Sequence, residues 1–93
     1  MSYSIAVTAP TKAEVLVKVA AELDKVVQHQ PSHRRDQAQA LAAAASFVGV
    51  LADDDTRDVH VSMHGSLSGP YADGDYTAIT SASVGVTATL KNR

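Results

Sequence analysis

Apolar residues in this chain repeat every second position near the start, every three or four positions through the middle, and every second position again towards the end. A period of two lines one face of a strand and a period near 3.6 lines one stripe of a helix, so neither an all-helical nor an all-strand fold accommodates the pattern. Tyr3, Ile5 and Val7 alternate with Ser4, Ala6 and Thr8, which predicts a half-buried first strand over residues 3 to 8.

Thr11-Lys12-Ala13-Glu14 has the spacing of a capping box and starts a helix at Thr11. Leu16, Val19, Ala20, Leu23, Val26 and Val27 form its apolar stripe, with Lys18, Glu22 and Lys25 in water. The helix ends in Gln28-His29-Gln30-Pro31, because the residue before proline is pushed out of helical geometry. A second helix is expected from Ser32 or Arg35 to Ala52, with Leu41, Ala44, Ala45, Val48, Leu51 and Ala52 buried and Phe47 plugging one end of the seam. Its run Ala42 to Ala45 has the strongest helix preference available, and Gly49 permits close approach by another backbone.

From Asp58 onward Val59, Val61, Met63 and Leu67 oppose His60, Ser62, His64, Ser66 and Ser68, a second strand. Gly69 to Asp75 carries turn chemistry, and Tyr76 to Leu90 returns as a third strand with a bulge expected near Thr80, where Ile79 breaks the parity. The predicted fold is α+β, a two-layer β-α-α-β-β arrangement in which an αα-hairpin packs on one face of an antiparallel three-stranded sheet. Either later strand satisfies the pattern as the neighbour of the first.

The 93 residues form one domain, 1–93, with a charge of −2 from eight Lys plus Arg against ten Asp plus Glu. The apolar share is 45%, yet 16 residues are Ala and 12 are Val, with one Phe and no Trp. Small side chains gain less on burial than Leu or Phe, so the core is thin and homo-oligomerisation is the expected supplement. Without Cys there are no disulfides, which suits a reducing cytoplasm. No apolar run approaches the roughly 18 residues of a membrane span, and Met1-Ser2-Tyr3-Ser4 lacks the basic and apolar segments of a secretory signal. A soluble, unexported chain with no membrane contact is expected. Lacking a Lys/Arg stripe, it is not expected to bind nucleic acid generally.

Two surfaces stand out. The sheet face opposite the helices, with Ser4, Thr8, His60, Ser62, His64, Ser66, Ser81, Ser83, Thr87 and Thr89, is polar and nearly uncharged, so it suits a partner; His60, Ser62, His64, Ser66, Ser83 and Thr87 are its candidate contacts. The second helix has His33-Arg34-Arg35 at its start and Asp53-Asp54-Asp55 at its end, both opposed to the helix macrodipole. Ser32, His33, Arg34 and Arg35 are therefore candidates for an anion site, and the two clusters can also meet head to tail between subunits.

Other chemistry fits poorly. His60 and His64 stand about 13 Å apart along a strand, too far for one zinc ion at ~2.1 Å from each nitrogen, and a site would need His29, His33 or another subunit. No metal or cofactor is expected. In Gly65-Ser66-Leu67-Ser68-Gly69 the position of a nucleophile-elbow serine is Leu67, and Asp73 and Asp75 flank a turn glycine. No catalytic residue is assigned, and a non-enzyme is expected.

Ser4-Ile5-Ala6-Val7-Thr8, the helix with Asp24-Lys25-Val26-Val27, and the closing segments Val61 to Ser68 and Ser81 to Ala88 resemble small proteins encoded by double-stranded DNA bacteriophages and prophages. The resemblance implies a phage accessory protein in the host cytoplasm or on the virion, with a host or virion protein as partner. The expected function is thus a small non-enzymatic module acting by protein binding and self-association, with sequestration of a nucleotide-like anion at the start of the second helix as the alternative.

Overall fold

A computed structural model describes residues 2–68 and 81–92, with the side chains of residues 32, 35, 67, 68, 81 and 82 outside the description. The order is β1 (Ser2–Ala9), α1 (Lys12–His29), a 3-10 turn (Pro31–Arg35), α2 (Gln37–Gly49), β2 (Arg57–Ser68) and β3 (Ser81–Asn92). One antiparallel sheet has the order β1-β2-β3, with Ile5 opposite Met63 and Met63 opposite Val86. The predicted two-layer α+β fold is the one observed, and β1 pairs with β2. The turn expected over 69–75 and the bulge near Thr80 lie outside the described residues.

Each helix has a local cause. Thr11 Oγ1 accepts from the Glu14 amide at 3.1 Å, so the cap forms. Val15, Val19, Leu23 and Val27, at four-residue spacing, are the buried spine of α1, while Leu16 and Val26 sit at its margin. The stripe is thus centred one position earlier than its sequence reading. Pro31 ends the α-helix and opens a 3-10 turn, so α2 begins at Gln37 with Asp36 as its N-cap, later than Ser32 or Arg35.

In α2 the buried residues are Ala40, Ala44 and Val48; Leu41 and Leu51 are intermediate, and Ala45 and Ala52 are exposed. Phe47 is 50% exposed, so it does not plug the seam. The physical reason is the later start and the end at Gly49: the shorter helix lays its Ala40-Ala44-Val48 ridge on the sheet and turns Phe47 to the flank.

Helix-end charges are also better placed than the sequence suggests. Asp36 lies at the positive end of α2, while Lys12 Nζ donates to the Leu51 carbonyl at 2.6 Å just beyond the negative end and pairs with Asp53 at 2.9 Å. The macrodipole thus meets an acidic residue adjoining the helix start and, at its end, a lysine that folding brings in.

The core joins Ile5, Val59, Val61 and Met63 of the sheet to the two helix ridges. Gly65 of β2 lies under the Tyr3 ring, and a Cβ there would fall 2.3 Å from a ring carbon. Tyr3 is itself buried, so the ring has nowhere to go. We expect Gly65→Ala to destabilise the fold by about 1–3 kcal/mol. Gly85→Ala presses instead on the exposed His64 ring and is expected to cost less. Urea midpoints of the two variants check this, and equal midpoints would contradict it.

Candidate functional site

Alternation along the three strands sends one set of side chains away from the helices. Because the strands are in register, these residues line up in rows: Thr8-His60-Thr89, Ala6-Ser62-Thr87, Ser4-His64-Gly85 and Ser2-Ser66-Ser83. None of the four rows contains Lys, Arg, Asp or Glu; the first charges are Asp58 and Lys91, one row further. At strand spacings near 4.8 Å and ~6.7 Å between rows, the uncharged patch is roughly 10 by 20 Å.

All six candidate residues of this face, His60, Ser62, His64, Ser66, Ser83 and Thr87, are brought together here. Ser62, His64, Ser83 and Thr87 are exposed, while His60 and Ser66 are partly covered. Thr8 Oγ1 and His60 Nδ1 are 2.8 Å apart, and Ser66 Oγ and Ser83 Oγ are 3.1 Å apart, so cross-strand hydrogen bonds tie the polar groups into the sheet. The His64 ring lies across Gly85. The imidazoles are held separately, and among the described residues no three metal-ligating side chains cluster.

Of the proposed anion residues, His33 and Arg34 do not come together. Arg34 is exposed, but His33 is 1% exposed and turned inward, and the side chains of Ser32 and Arg35 lie outside the description. Asp36 is the N-cap residue of α2, and its buried carboxylate, which makes no hydrogen bond to the helix amides, stands where the anion was expected. The 3-10 turn is the reason: it offsets His33 from the helix amides and points its ring at β1.

That inward turn creates a buried polar cluster absent from the sequence reading. Gln30 Nε2 donates to the Ser2 carbonyl at 3.2 Å, which directs Gln30 Oε1 to His33 and makes His33 Nε2 the donor at 2.9 Å. His33 Nδ1 is 3.8 Å from Asp36 Oδ1, and the Tyr3 ring meets the His33 ring edge to face at 4.9 Å. Tyr3 Oη, His33 Nδ1 and both Asp36 carboxylate oxygens are buried without hydrogen-bond partners. Burial, then the Asp36 charge, pushes the Tyr3 pKa up to about 12, so its hydroxyl stays protonated. His33 is pushed below 6.5, chiefly by burial and against the pull of Asp36. The signal available in the sequence was the three-residue spacing of His33 and Asp36, close to the Pro31 break.

Beside the cluster is a recess of about 150 Å³ lined by Asp36, Gln39, Ala43 and Val84. A wider depression of about 490 Å³ lies between the start of α1 and the end of α2; its Lys12 is already engaged by Leu51 and Asp53. Among the described residues no helix is long and apolar enough to cross a membrane. Comparison with known protein families, curated proteins and solved structures finds no match for this chain.

The depressed His33 value has a testable sign. The unfolded chain takes up this proton before the folded one, so the stability gained by a neutral His33 is full above about pH 6.5 and is lost as pH falls through the lower folded-state value. Urea midpoints are expected to drop between about pH 7.5 and about pH 5.5. His33→Gln should flatten the dependence; a wild-type midpoint that rises with acid would contradict the assignment.

Proposed function

We propose that this protein is a small non-catalytic interaction module that works by protein binding and self-association, an accessory protein of the phage-encoded kind its sequence resembles. The observation that carries this reading is a sheet that the described residues cover on one face only, with four consecutive rows free of Lys, Arg, Asp and Glu on the other. A surface of hydroxyls and imidazoles without Lys, Arg, Asp or Glu loses water at lower cost than one lined by those charges, whose hydration must be stripped. The polar groups already bonded across strands, Thr8 with His60 and Ser66 with Ser83, each have one partner in place before the face is covered.

Supporting the self-association part, Val17, Phe47 and Val50 remain exposed at 69%, 50% and 82% on the helix side. Light scattering on the full chain over a dilution series tests it. The mass is expected to rise above that of one chain as concentration increases. A single-chain mass at every concentration overturns self-association.

A further inference from the structure

Among the described residues the sheet has two outer strands, and they differ. Beside β1 stand two side chains from the helical layer: Lys18 Nζ donates to the Thr8 carbonyl at 2.7 Å, and Gln30 Nε2 to the Ser2 carbonyl at 3.2 Å. A lysine along an outer strand is a common guard against further pairing. β3 carries no such guard of its own. From Ser81 to Leu90 it has no charged residue and no proline, and its pairing with β2 runs without a bulge.

The apolar row of β3 is also only half covered. Val59, Val61 and Met63 of β2 are buried, while their β3 partners Leu90, Ala88 and Val86 are half-buried. Across the small recess beside Asp36, Val84 faces Gln39 and Ala43 of α2. Phe47 and Val50 follow Ala43 on the same side of that helix and are exposed. An unguarded strand edge, a half-covered valine row and an apolar helix flank thus lie side by side.

The strand's own sequence says what fits there. Ser81-Ala82-Ser83-Val84-Gly85-Val86-Thr87-Ala88-Thr89 reads nearly the same from either end, with Gly85 at its centre. Two antiparallel copies related by a two-fold axis at Gly85 set Val84 against Val86 on the helix side and Ser83 against Thr87 on the open side, each pair twice. Residues opposite one another in a sheet share a face, so the axis must fall on a residue and not between two. Moving it one residue either way sets Val84 against Ala88 or Val86 against Ala82, and a hydroxyl against Gly85. Gly85 is the position that pairs like with like.

We infer that the outer edge of β3 is the self-association surface, pairing antiparallel with β3 of a second copy about a two-fold axis at Gly85. The half-covered valines gain a neighbour on their open side. Both helical layers fall on one side of the joined sheet, and the rows free of Lys, Arg, Asp and Glu continue across the other. This rests on the self-association reading above and names the surface that performs it.

Light scattering and cross-linking on the full chain decide the matter. The wild-type mass should level off at two chains, because a two-fold axis closes the pairing. Ser83 and Thr87 are exposed, so charges there should leave the far-UV circular dichroism spectrum unchanged. Ser83→Lys with Thr87→Lys puts like charges opposite one another twice and should weaken association about tenfold, whereas Ser83→Glu with Thr87→Lys should restore it. Ala6→Arg, exposed on the open face of β1, should leave association unchanged. The chain has no cysteine, so Ser83→Cys mixed with Thr87→Cys should give a disulfide-linked pair on oxidation, and neither variant alone should. If the wild type associates but the two charge variants behave alike, Ala6→Arg abolishes association, or the mass grows past two chains, this edge is wrong while self-association stands. Cross-linking by either cysteine variant alone, or none in the mixture, overturns the register at Gly85. A wild type that stays a single chain throughout removes both readings.

Discussion

Two ridges of small side chains pressed onto a narrow sheet hold this fold together. Val15, Val19, Leu23 and Val27 from α1 and Ala40, Ala44 and Val48 from α2 meet Tyr3, Ile5, Val59, Val61 and Met63. Valine and alanine project little from a helix, so both helices lie close enough to share three strands. Each such residue contributes little transfer free energy, and the sum depends on nearly complete exclusion of water: Val15, Val19, Ala40, Ala44 and Val61 are all 0% exposed.

That economy of volume also shapes what stays exposed. Both helices lie on one face of the sheet, and among the described residues the other face is left uncovered, its four rows without Lys, Arg, Asp or Glu. The Ala-rich second helix seats Ala40, Ala44 and Val48 on the sheet and leaves Ala38, Gln39, Ala42, Ala45 and Ser46 exposed.

The buried Tyr3-His33-Asp36 cluster is the exception within this apolar frame. It joins the first strand, the 3-10 turn and the head of α2. Buried groups with incomplete hydrogen bonding cost stability unless protonation is matched to their surroundings. Tyr3 held protonated avoids a second buried charge beside the carboxylate at the positive end of α2, while His33 Nδ1 and the carboxylate oxygens stay without hydrogen-bond partners.

Much of this was legible in the residues. The two alternating segments, the Thr11 cap and the Pro31 break determine two helices between strands, and the parity of His60, Ser62 and His64 places them on the face opposite Val59, Val61 and Met63. These are local matters, set by side-chain period and backbone sterics over a few residues. Non-local contacts decided the rest. That β1 lies beside β2, that His33 turns inward to Tyr3 and Asp36 instead of joining Arg34 on the surface, and that Lys12 reaches across to the end of α2 all depend on groups far apart in the chain. A five-residue 3-10 turn displaced the start of α2 and with it the face the helix presents, because one residue of shift rotates a helix by about 100°. Sequence period says that a stripe exists; only packing against the sheet says where that stripe points.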